Sequence, residues 1–222
     1  ASIFTLLDVA TGFGTVPMSE EARVIASVVT DIKQFLINNM CFGLRGAPST
    51  FLEVIAAVLR LFENRDERTG LPFCAAYMDD IIVFSQTPED HWKHLKVVFE
   101  ALITAGLKLK VSKVAFFQAE VEFLGRTIDK NGVRITPKHE KAVSMFPTPF
   151  DVHSTQRFLG FCVYVSNLIP DFARKAVPLF NLLKKDTPFV WTDECENAFQ
   201  TIKLNVKQSI MLTNLPPGSD LY

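Results

Sequence analysis

An α+β fold is predicted for this 222-residue chain. Three observations carry that prediction. Apolar runs of strand length, bounded by Gly, Pro, Asn and Asp, recur up to about residue 136. Two long patterns of helical period lie among them, at 46–64 and 87–106. Beyond Pro147 and Pro149 the apolar period turns helical and stays so. The expected layout is strands and packed helices to about residue 136, followed by a mostly helical part.

Taken in order, "SIFTLLDV" (2–9) reads as a buried strand with Asp8 near its end. "GFGTVPMSEE" is turn-rich, and "RVIASVVT" reads as a second strand. "QFLINNMCFGL" is a third apolar run, interrupted by Asn38 and Asn39. "GAPSTFLEVIAAVLRLFEN" reads as a helix. Pro48 suits its first turn, and Phe51, Ile55, Val58, Leu59 and Phe62 recur at helical spacing. "RDERTG" is a polar loop. "FCAAYMDDIIVFS" reads as a tight hairpin with Asp79 and Asp80 at its tip. In the next helix Thr87 and Asp90 form a capping-box pattern, Pro88 takes the first position and Gly106 ends it. Trp92, Leu95, Val98, Phe99 and Leu102 are expected to form its apolar face, with His91 and His94 exposed. His91-x-x-His94 has a zinc-like spacing, but no third ligand is near in sequence. "LKLKVS" reads as a strand and "EVEFLGRTIDKNGVRIT" as a hairpin turning at Asn131-Gly132. "STQRFLGFCVYVSNLI", "FARKAVPLFNLLKK" and "DECENAFQTIKLNVKQ" supply the later helices.

The hydrophobic content is 48% and the charged content 21%, an ordinary globular balance. A net charge of −1 gives no global signal for nucleic acid or membrane. Charge is uneven, however. Residues 106–141 hold eight basic side chains against four acidic ones, a local basic face suited to phosphate contacts or simply to solvent. Cys41, Cys74, Cys162 and Cys195 are widely spaced and read as reduced residues, without the spacing of a zinc site. No apolar run reaches the length of a membrane span, and no signal peptide is recognisable. Both ends look cut, since the chain opens inside a strand and stops where another begins. A fragment of a longer polyprotein is expected.

Asp79 and Asp80 pose the chemical question. Carboxylates set between apolar strands are either exposed in a turn or paired with a cation. If Asp8, at the end of another strand, lies beside them, three carboxylates converge and cannot all stay ionised without cations. Magnesium, which prefers oxygen ligands, would relieve the repulsion. Two such ions suit nucleotidyl transfer to a 3′-hydroxyl.

"FTLLDVATGF", "MCFGLRGAPSTF", "YMDDIIVFS", "LKLKVSKVAFF" and "VEFLGR" occur in the order and approximate spacing of reverse transcriptases. The chain most resembles the polymerases of gypsy-class long-terminal-repeat retrotransposons. The downstream "RFLGF…NLIPDFARKAVPLFNLLKK…FVWTDECENAF" resembles their thumb and connection. The resemblance implies a polymerase palm, a ferredoxin-like antiparallel sheet with packed helices. It would span 1–136 with a remnant of the fingers and the primer-grip hairpin. A thumb-like part (137–186) and the start of a connection or RNase H-like region (187–222) would follow. It implies magnesium, or manganese, held by Asp8, Asp79 and Asp80. Phe13 matches the aromatic gate under the incoming sugar; Phe42, Gly43 and Leu44 match the nucleotide-pocket segment. Tyr77 and Met78 complete the Y-x-D-D motif as substrate contacts. Phe123, Leu124 and Gly125 match the primer grip, and Lys113 matches a candidate general acid for pyrophosphate. Implied partners are template, primer, deoxynucleotides and the rest of a Pol polyprotein (fingers, RNase H, integrase), with no membrane. The implied location is a cytoplasmic virus-like particle or the nucleus. The rival reading is a catalytically silent nucleic-acid-binding scaffold. Three positions depart from the family pattern: Gly14-Thr15 stand where His-Gln is usual, Cys41 stands for Pro, and "YVSNLI" lacks the usual aromatic and arginine residues.

Overall fold

The computed structural model describes residues 1–10, 12–61, 65–67, 70–185 and 187–207, with the side chains at 60 and 61 left aside. The chain divides into two compact units, Ala1–Val121 and Glu122–Tyr222, each with its own apolar core.

In the first unit, strand β1 (Ile3–Ala10) leads into a short 3-10 turn, Gly12–Thr15. Helix α1 (Glu20–Ile25) follows. This segment was expected to be a strand, and only its end pairs, as β2 (Val28–Val29) with β3 (Gln34–Phe35). The cap explains the difference. The Ser19 hydroxyl accepts from the Ala22 N–H at 3.3 Å, and Glu20 and Glu21 sit in the first turn, where the helix dipole favours acids. These signals outweigh the β-branched Val24 and Ile25, which point to solvent. Helix α2 (Ala47–Leu61) buries Phe51, Ile55 and Val58 as expected; Phe62 lies outside the described residues.

Strands β4 (Cys74–Tyr77) and β5 (Asp80–Ser85) form the hairpin. Helix α3 (Pro88–Thr104) begins at Thr87, whose hydroxyl accepts from the Asp90 N–H at 3.2 Å, and stops before Gly106 in the left-handed region (φ 69°). Leu95, Val98 and Leu102 are buried as expected, but the stripe is turned toward the histidines. His91, His94, Leu95, Val98, Ala101 and Leu102 face inward, while Trp92 is 65% exposed. The pattern is still helical in period, but two imidazoles take core positions because every ring nitrogen finds a partner there. The edge of the sheet consists of β6 (Lys108–Leu109), a 3-10 turn at Val111–Lys113, and β7 (Ala115–Gln118).

The sheet order is β4-β5-β1-β6, with β7 also on β1, and the pairs are antiparallel. With α2 and α3 as crossovers this is the β-α-β-β-α-β arrangement of a ferredoxin-like fold. Leu7, Val9, Ile81 and Val83 share a core with α2 and α3. Side chains alternate along a strand. Asp8 and Asp80 therefore lie on the opposite face from that core.

β8 (Glu120–Phe123), whose first two residues close the first unit, β9 (Arg126–Asp129) and β10 (Gly132–Ile135) form a three-stranded sheet. Asp129 pairs with Gly132, so the tight turn is Lys130-Asn131, one residue earlier than expected, and Gly132 takes φ 144°. Helix α4 (Pro137–Ser144) was not foreseen; Thr136 caps it. It is followed by α5 (Val152–Tyr164), α6 (Phe172–Lys175), α7 (Val177–Asn181) and α8 (Asp193–Lys207). Ile135 and Val143 share a core with Phe158, Leu179, Phe199 and Ile202. This places the β9–β10 hairpin with the helices, so compactness divides the chain earlier than the period change near 136. Among the described residues no helix is long and apolar enough to cross a membrane.

Candidate active site

The site is built on the hairpin. Tyr77 pairs with Asp80, leaving Met78-Asp79 as a two-residue turn. Met78 supplies the positive φ (53°) that a tight hairpin of this kind requires, although it has a side chain. Such a conformation is a local strain that the surroundings must hold. One holding contact is clear: the Val9 N–H donates to the Asp79 carbonyl at 2.7 Å, tying the tip to β1.

Asp8 and Asp80 are direct cross-strand partners. Opposite Asp8 on the other side, the edge strand breaks. The Lys110 N–H donates to the Asp8 carbonyl at 2.9 Å and the chain then enters the 3-10 turn. This break aims two lysines at one carboxylate. Lys113 Nζ donates to Asp8 Oδ2 at 3.0 Å, and Lys110 Nζ stands 2.9 Å from Oδ1 as an ion pair outside hydrogen-bond geometry. Burial by itself would raise the Asp8 pKa, but the two ammonium groups outweigh it and hold the carboxyl below its ordinary value. The close contact with the Asp8 carboxylate correspondingly raises the Lys110 pKa.

Asp79 is different. Its Oδ1 is buried without a partner. Burial pushes its pKa up, the negative Asp8 and Asp80 push the same way, and Lys110 and Lys113 oppose them. Gly12 presses against this oxygen. A Cβ there would come within 2.7 Å of Asp79 Oδ1 and 2.9 Å of Phe51 Cε1, and closer still to Phe51 Cζ.

The three carboxylates are thus neighbours and feel each other's charge. Their chemistry fits a hard divalent cation: oxygen donors, mutual repulsion and one orphaned acceptor. Among the described residues, no group of three His, Cys, Asp or Glu side chains is arranged to hold a metal as it stands. In this arrangement the Asp8 oxygens are engaged by Lys110 and Lys113.

Beside the turn, the Phe13 ring packs edge-on against Phe51 (5.2 Å, 65°) and Phe42 (5.3 Å, 89°). Phe42 is 81% exposed and Gly43 takes φ 91°, so this aromatic step is open to solvent on its outer side. Leu44 packs on the core, and Tyr77 is half exposed.

In the second unit, Phe123 ends β8, and Leu124 and Gly125 form a turn with φ 49° and 66°. The Tyr164 hydroxyl donates to the Leu124 carbonyl, and Arg126 donates to the Tyr164 carbonyl at 3.3 Å and to Asn167 Oδ1 at 3.1 Å. A Cβ on Gly125 would meet the Tyr164 hydroxyl at 2.5 Å. Sequence reasoning missed the face beyond this turn. Arg157, Gly160, Phe161 and Tyr164 of α5, at helical spacing, line a concavity with His139. The i, i+3, i+4, i+7 pattern was the available signal, with arginine and tyrosine at its ends and glycine within.

A family model described as reverse transcriptase (RNA-dependent DNA polymerase) matches residues 1–128. The retrovirus-related Pol polyprotein from transposon opus of Drosophila melanogaster is 37% identical over 186 residues, 83% of this chain and 18% of that protein. The Pol polyprotein from transposon gypsy of the same organism is 32% identical over 214 residues, 91% of this chain and 20% of that one. The chain therefore spans about a fifth of the length of these relatives. A foamy viral protease-reverse transcriptase, solved in complex with double-stranded DNA, matches with a TM-score of 0.81 at 23% identity. It covers 96% of this chain and 36% of that one, and shows the fold.

Proposed function

This chain belongs to the reverse transcriptase (RNA-dependent DNA polymerase) family, and from that premise we propose that it carries the palm of a retrotransposon polymerase. The reaction is addition of deoxynucleotides to a primer 3′-hydroxyl on an RNA or DNA template. The observation that carries this reading is the placement of Asp8 opposite Asp80 with the buried, unpartnered Asp79 Oδ1 beside them.

Asp8, Asp79 and Asp80 would hold magnesium or manganese. When bound, such ions neutralise triphosphate charge and favour the attacking alkoxide. The remaining roles belong to this chain's own groups. Phe13, backed by Phe51, presents a ring that leaves no room for a 2′-hydroxyl. Phe42, Gly43, Tyr77 and Met78 border the nucleotide and template. Lys113, once released from Asp8, is the candidate proton donor to pyrophosphate. In the second unit, the Phe123-Leu124-Gly125 turn is assigned to the primer and the Arg157–Tyr164 face of α5 to the duplex. Template, primer, deoxynucleotides and the remaining Pol segments are the proposed partners.

The test is magnesium-dependent primer extension by the complete polypeptide that contains this chain. Asp79→Asn is expected to abolish extension while binding of primer-template, read by filter retention, survives. Extension that persists in this variant would remove the metal assignment.

A further inference from the structure

Five side chains on the helix-facing side of the first sheet form one connected polar chain. The Phe117 N–H donates to Thr5 Oγ1 at 3.2 Å. Thr5 Oγ1 lies 2.7 Å from His91 Nε2. His91 Nδ1 lies 2.8 Å from Ser85 Oγ, and the same oxygen is 2.7 Å from His94 Nδ1. His94 Nε2 faces Asp66 Oδ2 at 3.4 Å. Thr5, Ser85, His91 and His94 are all buried, His91 completely. His94 stacks flat on Phe73 at 3.8 Å. Phe117 sits at a bulge: Phe4 pairs with Gln118 and Leu6 with Ala115, so two residues face Thr5. With φ 52° at Phe117, its N–H leaves the ladder for the Thr5 side chain.

Hydrogen counting allows this chain one direction. A carboxylate only accepts, so His94 must carry its proton on Nε2. His94 Nδ1 is then an acceptor, and the Ser85 hydroxyl must donate to it. Ser85 Oγ in turn accepts from His91, which places the His91 proton on Nδ1. His91 Nε2 is then an acceptor for the Thr5 hydroxyl, and Thr5 accepts from Phe117. Every buried donor and acceptor along the chain is satisfied with both imidazoles neutral. A proton added to either ring would set two donors face to face. Burial and the neighbouring His94 oppose charging of His91; burial likewise holds His94 below its ordinary value, against Asp66 and Asp90 and with Lys93.

We propose that Asp66, Ser85, His91, His94 and Thr5 form a polarised hydrogen-bond relay that positions β1 and β5, the strands bearing Asp8 and Asp80. Thr5 lies three residues before Asp8, and Ser85 ends the strand that Asp80 begins. The relay rests on the proposed polymerase reading only where it touches catalysis; its geometry does not.

Long-range proton–nitrogen correlation spectra of the histidine-labelled chain test it. His91 is expected to carry its proton on Nδ1 and His94 on Nε2. Asp66→Asn, which still offers an oxygen acceptor, should preserve both tautomers. Asp66→Leu should shift His91, with two side chains in between, toward a mixture. A His91 protonated on Nε2 in the unaltered chain, or one indifferent to Asp66→Leu, overturns the relay. Ser85→Ala should speed amide exchange in β1 and β5 by about tenfold or more; unchanged exchange overturns the positioning role. Should Ser85→Ala not fold, the Asp66 pair still decides the matter. None of these readouts requires activity, so loss of the polymerase reading and loss of the relay are separate results.

Discussion

Gly12→Ala is the sharpest perturbation the site offers. One added methyl would enter a space bounded by the Phe51 ring and the Asp79 carboxylate, inside 3 Å of both. Real Cβ atoms do not come that close, so something must move. The Phe51 ring is fully buried and packed on Phe13, so it has little room to retreat. Overpacking of this kind costs about 1–3 kcal/mol. With a urea slope near 2 kcal/mol/M, the midpoint should fall by on the order of 1 M. Trp92 belongs to the first unit, so fluorescence in a Trp191→Phe background reports the right transition. If the carboxylate yields instead of the ring, Asp79 is displaced, and a misplacement near 1 Å can lower turnover by about 100-fold. A Phe51→Leu partner separates the two conflicts. It removes the aromatic obstacle, so the further loss from Gly12→Ala should shrink by about 1 kcal/mol or more, while the Asp79 conflict remains. A midpoint unmoved by Gly12→Ala, or a loss untouched by Phe51→Leu, would refute the steric argument.

Phe13→Val should weaken discrimination between deoxy- and ribonucleotides by on the order of tenfold or more, read as the ratio of kcat/KM values; an unchanged ratio removes the gate role. Thr87→Ala should lower stability by about 1 kcal/mol in urea unfolding, because the Asp90 N–H loses its cap, and Thr87→Ser should recover most of it. Acid should destabilise the first unit through His91, whose pKa burial lowers from 6.5 to about 4. A lowered histidine leaves stability intact above pH 6.5 and removes it as the pH falls toward 4, by about 3 kcal/mol in all. Urea midpoints between pH 7.5 and 4 should show this slope, and His91→Gln should flatten it.

The sequence announced the fold wherever local signals and tertiary packing agree. The β1 pattern, the Pro48 start of α2, the Thr87 cap and the Gly106 stop all appear as expected. The acidic hairpin was legible, but only Asp79 lies in its two-residue turn with Met78; Asp80, expected at the tip, begins β5 and pairs with Tyr77. Misreadings arose where chemistry at a distance decides. Val24 and Ile25 invite a strand, yet Ser19 starts a helix. His91 and His94 read as exposed because Thr5, Ser85 and Asp66 lie far away along the chain. The lysine clasp on Asp8 depends on where an edge strand breaks, which no run of residue types encodes. Lys113 was picked out by resemblance alone and Lys110 only as a member of a basic stretch, whereas both hold the carboxylate.

The broken border of the first sheet has another consequence. A long straight border would present a row of evenly spaced amides and carbonyls on which a foreign strand could zip. Here that row is cut into two ladder residues, a helical twist and a bulged segment. Such a border gives an incoming polypeptide no continuous template. The same interruption that turns ammonium groups inward also guards the rim against self-association.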